Sequence, residues 1–287
     1  MTSGARLAGV LCVGCLGSAF HAASVYAADC AGLAGLTLAN TEITLAKDVA
    51  RGAFKPPAGE GPGGPAGPAS AYATLPPFCR VAGTIRPTAD SDIRFEVWMP
   101  ASNWNGKFVG VGNGVWAGSV THFAMVEPLS KGYATAATDD GHQGSPLDAS
   151  FAAGHPEKLV DFGHRAVHEM TVAAKAAIAA YYGRGANRAL FASCSTGGRQ
   201  GLMEAYRYPG DYDGISSMAP ANPMTALMVS SLWTGYAALK DAASRIPPPT
   251  LTVVHKAALV RGERASPANS GRMRVSGLNH HPDGARW

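Results

Sequence analysis

The stretch that decides the fold is Phe191-Ala-Ser-Cys-Ser-Thr-Gly-Gly-Arg-Gln-Gly201. It predicts an apolar strand, a sharp turn of small residues with Ser195 at the apex, and then a helix. A strained strand-to-helix turn of this kind, called a nucleophile elbow, lifts a serine hydroxyl out of a sheet. Small residues at Ser193 and Gly197 allow the strand and the helix to approach each other. The stretch therefore predicts an exposed serine on a strained backbone at the edge of a sheet.

Strands and helices are predicted to alternate on both sides of this turn. In residues 93–99 every second residue is apolar, which is typical of a strand. In residues 161–182 apolar residues recur at three- and four-residue spacing and Gly183 follows as a cap, which is typical of a helix. The alternation predicts an α/β fold with a mostly parallel sheet and helices on both faces, over residues 28–259. Further strands are predicted over 33–45, 81–85, 107–111, 133–138, 188–193 and within 211–220, and a further helix over 198–208.

Residues 1–27 have the pattern of an export signal. Arg6 gives the positive start, residues 7–17 form a short apolar run, and Val25-Tyr26-Ala27 fits a signal-peptidase site. That run is too short for an ordinary transmembrane helix, and no later run is long enough. We therefore expect a periplasmic or secreted protein without an integral membrane segment. A lipoprotein processed at Cys15 is the alternative, although Cys12 stands where that motif has leucine.

Two stretches are predicted to lie outside the packed core. Residues 53–77 are rich in Pro and Gly and predict a flexible surface loop. Residues 260–287 contain five arginines, few apolar residues and no periodicity, which predicts a disordered basic tail, with a basic contact surface as the alternative. Lysine and arginine are otherwise scattered and the formal net charge is +4, so no nucleic-acid partner is expected.

Removal of the signal would leave three cysteines in an oxidising compartment. Cys30 follows the cleavage site and Cys79 begins a strand, so a Cys30–Cys79 disulfide that holds the N-terminus is the natural pair. Because the number is odd, one thiol remains unpaired. That thiol is Cys194, beside the predicted nucleophile.

A serine nucleophile needs a histidine base, an acid that orients the base, and an oxyanion hole. The turn itself exposes the Ser195 hydroxyl and directs the backbone N–H of Thr196 at a developing oxyanion. The second donor normally comes from the loop after the third strand of such a fold. Asn113 and Gly114 are the candidates, since the glycines of Gly112-Asn-Gly114 allow a substrate close to the backbone.

Other interpretations of the polar and glycine-rich segments are weaker. The glycines within residues 110–114 are spaced as in a dinucleotide loop, but a third spaced glycine and a following helix are missing. Asp139, Asp140 and His142 would suit a metal, but polar residues in one turn more often hydrogen-bond the loop itself. We predict no metal and no cofactor. His164 and His168 lie four residues apart on the predicted helix, a spacing that metal ligands use, but no companion ligand accompanies them.

The chain resembles the tannase/feruloyl esterase family in short segments that occur in order between about residues 30 and 259. Members of this family are exported α/β-hydrolases that cleave esters of aromatic acids such as gallate and ferulate. The resemblance implies that Ser195 is the nucleophile, that the Thr196 N–H is an oxyanion donor and that the substrate is an aromatic ester. The matching segments are Trp104-Asn-Gly-Lys-Phe108, Gly112-Asn-Gly114, Thr138-Asp-Asp-Gly-His142, Arg165-Ala-Val-His168, Tyr181-Tyr-Gly183, Cys194-Ser-Thr-Gly-Gly-Arg-Gln-Gly201, Asp211-Tyr-Asp-Gly-Ile215 and Ala219-Pro-Ala221.

The resemblance also implies parts that this sequence does not supply. In the family a lid domain with a calcium loop follows, then the catalytic Asp, then a His-Cys pair whose cysteine forms a disulfide with the cysteine at Cys194. After Ser195 the histidines are His255, His280 and His281, and none is followed by cysteine. We therefore expect a sheet that is incomplete at its C-terminal end, no lid and no calcium site.

The catalytic Asp and His are accordingly unknown, and we expect them to be absent from this chain. The resulting interpretation is a truncated serine esterase that is nearly inactive as it stands. Two alternatives remain open: a non-catalytic secreted binding module on the same fold, and a complete small esterase that uses His280 or His281.

Overall fold

The computed structural model describes residues 29–57 and 68–265. The chain divides between Ala221 and Asn222 into two compact units. The first holds the sheet and the helices that pack on it, and the second holds two further helices. The predicted export signal, residues 1–27, lies outside the described residues.

Seven strands form one sheet in the order β1-β2-β3-β5-β4-β6-β7. β1, β2, β3 and β5 pair antiparallel in succession, whereas β5, β4, β6 and β7 are parallel to one another. All strands except β1 and β3 therefore point the same way, which confirms the predicted mostly parallel, α/β-hydrolase-type sheet. The strands are β1 Thr41–Val49, β2 Phe78–Ile85, β3 Ile93–Pro100, β4 Lys107–Gly110, β5 Ala134–Thr138, β6 Arg188–Cys194 and β7 Gly214–Met218.

Both helices that the sequence predicts, over 161–182 and 198–208, are present in the structure. The helix expected over 161–182 begins with a π-helical turn, Asp161–Arg165, and ends at Gly183, whose φ of 67° is left-handed. The helix expected over 198–208 begins two residues earlier, because Ser195 itself is the last non-helical residue. The α-helices are α1 His122–Ser130, α2 Pro156–Val160, α3 Ala166–Tyr182, α4 Thr196–Arg207, α5 Met224–Leu239 and α6 Pro248–Ala265.

Apolar side chains fill both faces of the sheet. The predicted alternation in β3 is confirmed, since its odd-numbered apolar residues join a core cluster with α3. Trp98 points to the opposite face and joins a second cluster, which includes Met125 and Leu129 of α1. Helices thus cover both faces, and the sheet holds its strand ends in fixed positions. The odd-numbered β3 residues in the first cluster are Ile93, Phe95, Val97 and Met99.

The structure corrects the predicted N-terminal strand and Pro/Gly-rich loop. The strand expected over 33–45 is a 3₁₀ turn, Cys30–Gly35, followed by the edge strand β1, which starts only at Thr41 after a turn with left-handed Asn40. The flanks of the loop predicted over 53–77 are packed, since Phe54, Tyr72 and Leu75 are buried. Their aromatic and branched side chains have enough apolar surface to pack beside β2 and β3, which the Pro/Gly-rich centre lacks. Residues 58–67 lie outside the described part.

The predicted boundary at residue 259 falls inside a helix, because α6 continues to Ala265. The expected tail therefore begins six residues too early, and residues 266–287, with His280 and His281, lie outside the described part. Within the second unit, α5 is rich in apolar residues but none of its side chains is buried. None of the helices described here is long and apolar enough to cross a membrane.

Candidate active site

Ser195 lies between β6 and α4 with φ 59° and ψ −119°, a backbone conformation that costs a non-glycine residue energy. Hydrogen bonds on both sides hold it there. The Ser195 N–H donates to the Met218 carbonyl at 3.1 Å, and the Ser195 carbonyl accepts from Arg199 N–H at 3.1 Å and Ala221 N–H at 3.0 Å. The side chain is exposed. The predicted strained turn with an exposed serine is therefore present.

Glycines let α4 approach the sheet directly after this turn. A Cβ atom at Gly197 would overlap the Ser193 hydroxyl, and one at Gly198 would overlap the Met218 carbonyl oxygen. A Cβ at Gly201 would lie 3.0 Å from Ile215. The turn thus depends on small residues at both of the predicted positions, 193 and 197, and also at 198.

Asn113 is buried in the loop after β4 and uses its polar atoms to fix that loop. Its N–H donates to Gln200 Oε1 at 3.0 Å, its carbonyl accepts from Gly197 N–H at 2.8 Å, and its Nδ2 donates to the Thr138 carbonyl at 2.7 Å. Because the Asn113 N–H is committed to Gln200, it is not free to bind an oxyanion. This corrects the prediction that Asn113 is a donor. Gly114 is exposed, and its N–H donates to no other residue in the described ranges.

The loop beyond Gly114 is strained and is held by α4. Val115 and Ala117 have φ values of 51° and 62°, which are unfavourable for residues with a Cβ, above all for β-branched valine. The Thr196 hydroxyl donates to the Val115 carbonyl at 2.7 Å, and the Ala117 N–H donates to the Gly114 carbonyl at 2.9 Å. The sequence did not reveal Gln200 or the Thr196 hydroxyl as contributors, because no local pattern links them to a loop some 80 residues earlier.

No histidine of the described residues hydrogen-bonds Ser195. His255 is exposed on α6, and His142 stacks on Phe151 with ring centroids 3.5 Å apart. Within the described residues, the predicted nucleophile therefore has no histidine beside it that could act as a general base. The other four described histidines contact partners of their own: His122 with Glu96, His155 with Asp90, His164 with Tyr208 and His168 with Asp211.

Asp139 hydrogen-bonds the turn that it shares with Asp140 and His142. Asp139 Oδ1 accepts from the N–H groups of Arg94 at 3.0 Å and Gly141 at 2.9 Å. Burial raises the pKa of Asp139 to about 7 and that of Asp140 to about 8. No group of three or more His, Cys, Asp or Glu in the ranges 29–57 and 68–265 is arranged to hold a metal ion.

His164 and His168 connect α3 to the end of α4. His164 Nδ1 lies 2.8 Å from the Tyr208 hydroxyl. His168 Nδ1 lies 2.6 Å from Asp211 Oδ2, and this hydrogen bond raises the pKa of His168. The His168 ring stacks on Tyr208 with centroids 3.9 Å apart. The two rings therefore bind separate partners and do not face a common ligand.

The predicted Cys30–Cys79 disulfide is present, with the two Cα atoms 5.6 Å apart. Both cysteines are buried, so the bond fixes the 3₁₀ turn on β2. Cys194 is a free, exposed thiol within the described part of the chain.

A cavity of about 590 Å³ opens at the edge of the sheet where β5 ends. The loop residues Gly118 and Ser119 form one wall, and Asp139 lies at the end of β5. Arg86 and Arg94 contribute charged side chains. Much of its remaining lining comes from residues 82–84 of β2 and 94–96 of β3, and Ser195, Thr196 and Gly114 do not line it.

Comparison with known proteins agrees with this geometry. The family model described as tannase and feruloyl esterase matches residues 79–266. An uncharacterized esterase of Xanthomonas campestris is 39% identical over 246 residues, which cover 86% of this chain and 41% of that protein. The chain therefore spans about 41% of the length of this relative.

Two solved structures from Aspergillus oryzae are similar to the chain. An esterase superposes with a TM-score of 0.65 at 30% identity, and the match covers 73% of this chain and 40% of the esterase chain. Feruloyl esterase B superposes with a TM-score of 0.58 at 30% identity, and the match covers 67% of this chain and 36% of the feruloyl esterase chain. The family match extends past residue 259, in agreement with the end of α6.

Proposed function

The chain belongs to the tannase and feruloyl esterase family, and we propose that it carries the nucleophile of an exported serine esterase that acts on esters of aromatic acids. The observation that carries this proposal is the strained, exposed Ser195 directly before α4, the helix whose side chains also hydrogen-bond the glycine loop after β4. In the proposed reaction the Ser195 Oγ attacks the ester carbonyl, the alcohol leaves, and water then hydrolyses the acyl-enzyme.

The oxyanion donors in this proposal are the backbone N–H groups of Thr196 and Gly114. Two donors aimed at the position of the developing negative charge are the usual arrangement of such a site. Feruloyl esterase B, one of the similar structures, is named for an aromatic-acid ester, which supports this substrate class.

Export is part of the proposal and rests on two observations. The first 27 residues have the pattern of a signal peptide. The Cys30–Cys79 disulfide requires an oxidising compartment to persist. A periplasmic or secreted location accounts for both.

We further expect this 287-residue chain to turn over slowly when it is alone. Ser195 has no histidine partner in the described residues, and the members of a catalytic triad act as a unit. Loss of the base costs on the order of 10⁶-fold in turnover, although oxyanion stabilisation and substrate binding retain part of the catalysis.

Labelling with a fluorophosphonate followed by peptide mapping tests the nucleophile. We expect slow but specific modification of Ser195, none in Ser195→Ala, and wild-type behaviour in Ser216→Ala, which changes an exposed serine on the neighbouring strand β7. Hydrolysis of methyl ferulate and methyl gallate, measured in parallel, reports turnover.

Each other outcome points to a different function. Modification of Ser216 or of no serine overturns Ser195 as nucleophile, and saturable ferulate binding without labelling favours a binding module. Rapid turnover that is lost on His280→Ala or His281→Ala favours a complete small esterase. Rapid turnover that survives Ser195→Ala overturns the serine mechanism.

A further inference from the structure

The loop that follows β4 is attached to α4 by side chains, not by the sheet alone. Gln200 and Asn113 bond each other twice: Asn113 N–H donates to Gln200 Oε1 at 3.0 Å, and Gln200 Nε2 donates to Asn113 Oδ1 at 3.0 Å. Both residues are almost fully buried, with 1% and 4% of their surface exposed. Buried amides bonded in this reciprocal way hold a fixed geometry, because any displacement leaves unpaired polar groups.

Gly112 makes room for this pair. A Cβ atom at Gly112 would overlap Gln200 Oε1 and would lie 2.8 Å from Gly197 Cα. The amide of Gln200 thus occupies the space beside Gly112 and reaches the backbone of Asn113. The loop is therefore built to receive a side chain of α4.

A second attachment lies nearer the nucleophile. The Thr196 hydroxyl donates to the Val115 carbonyl at 2.7 Å, and Val115 has a φ of 51°. A β-branched residue leaves this conformation readily unless other contacts hold it. Gly114 lies between the two attachment points, Asn113 and Val115, so its N–H direction is set from both sides.

We propose that Gln200 and Thr196 are positioning residues, whose side chains fix the strained loop 113–117 on α4 and hold the Gly114 N–H toward Ser195. The inference rests on the proposed role of Ser195 as nucleophile. Neither side chain touches substrate. Each acts through the loop, and the Thr196 side chain acts separately from the Thr196 backbone N–H.

The experiment compares variants that keep or remove these bonds. Thr196→Val removes the hydroxyl at nearly constant volume, whereas Thr196→Ser keeps it and is the matched control. Gln200→Leu removes both amide contacts. Gln200→Leu leaves buried polar groups unpaired, which lowers stability. If Gln200→Leu does not fold, the comparison of Thr196→Val with Thr196→Ser alone tests the proposal.

The first readout is the rate at which Ser195 of the full chain reacts with a fluorophosphonate and with its thio analogue. In this reaction the Oγ–P bond forms, the P–F bond breaks, fluoride leaves and the serine proton passes to buffer. Phosphoryl oxygen accepts hydrogen bonds from the oxyanion donors better than sulfur does. We expect the oxygen-to-sulfur rate ratio to fall about tenfold in Thr196→Val and Gln200→Leu and to fall much less in Thr196→Ser, which keeps the hydroxyl.

This ratio separates positioning from a merely structural role, because general damage slows both probes equally. Amide hydrogen exchange of residues 113–118 is the second readout and needs no reactive serine. We expect faster exchange there in Thr196→Val than in Thr196→Ser.

The outcomes distinguish this inference from the proposed function. An unchanged rate ratio in Thr196→Val overturns the positioning role, and unchanged exchange overturns the attachment itself. If the wild-type chain does not react at Ser195, the proposed function fails, and the exchange comparison alone decides whether α4 holds the loop.

Discussion

Helices α4 and α5 reverse the usual relation between apolar composition and burial. α4 is the more polar of the two, yet most of its first turns are buried, and its apolar Leu202 and Tyr206 are exposed. α5 is rich in apolar residues and buries none of them. Gln200 and Arg199 of α4 hydrogen-bond neighbouring elements, Gln200 at Asn113 and Arg199 at the carbonyls of Phe162 and Gly163, and the α4 glycines let the backbone pack on the sheet. Burial here follows from close backbone packing and satisfied polar groups, and hydrophobicity alone does not produce it.

The largest expected difference compares a buried cation with an exposed aromatic residue. Arg199 of α4 donates to the carbonyls of Phe162 at 3.0 Å and Gly163 at 2.9 Å and lies near buried Asp140. Arg199→Ala should lower the free energy of unfolding by about 3 kcal/mol, because it leaves buried acceptors and a carboxyl group without their partner. Trp233→Ala on α5 removes a larger apolar side chain that is 69% exposed, and should change the free energy by less than about 0.5 kcal/mol. Urea unfolding followed by circular dichroism measures both, and equal losses would contradict the contrast.

A second comparison uses one glycine from each helix. A Cβ at Gly198 meets the backbone of Met218 and Pro220, whereas a Cβ at Gly235 of α5 meets nothing within 4 Å. Gly198→Ala should therefore destabilise the protein by about 2 kcal/mol. Gly235→Ala should stabilise its helix by about 0.5–1 kcal/mol, because alanine has the higher helix propensity. Thermal unfolding of the two variants checks the opposite signs, and two shifts of the same sign would count against the packing argument.

A third prediction concerns pH. Burial, with Asp211 close by, raises the pKa of Glu204 in α4 to about 9. The folded state then keeps a proton that the unfolded chain loses above about pH 4.5, so this group lowers stability as pH rises from that value toward 9. Glu204→Gln removes that dependence. Between pH 5 and pH 8 the free energy of unfolding should therefore fall by about 1–2 kcal/mol less in Glu204→Gln than in the wild type. Exposed Glu127→Gln is the control, and equal pH profiles for wild type and Glu204→Gln would refute the prediction.

The smallest effect is expected at Ser195, the proposed nucleophile. Because Ser195 has a φ of 59°, glycine fits its backbone better than any residue with a Cβ. Ser195→Gly should be more stable than Ser195→Ala by about 1 kcal/mol, although both variants lose the hydroxyl. Differential scanning calorimetry of the pair measures this difference, and a less stable glycine variant would show that the turn is not strained.

The sequence predicted the parts of the fold that local patterns determine. The alternation in β3, the strand–turn–helix around Ser195 and the Cys30–Cys79 disulfide are all confirmed. The true start of β1 at Thr41 was missed, because short apolar alternation does not mark where a turn ends. The burial of Phe54 and Tyr72 was missed as well, because composition averaged over a Pro/Gly-rich loop hides the few residues that pack.

The site was predicted as far as its elements are contiguous in sequence. Gly114 remains a candidate donor, but Asn113 proved to be committed to Gln200. That bond joins residues 87 positions apart, and only the order of β4 and β6 in the sheet brings them together. The exposure of α5 was not predicted either, because its apolar composition indicates burial but does not indicate which element would cover it.

Cys30 and Cys79, which the disulfide joins, are 49 positions apart in the sequence. The segment between them contains β1 and the Pro/Gly-rich loop. A protease that cuts the backbone once anywhere between these cysteines yields two peptides that remain a single covalent molecule. Their separation on a denaturing gel would require a reducing agent. The N-terminal fragment, with its edge strand, is thereby retained after cleavage for as long as the disulfide stays oxidised.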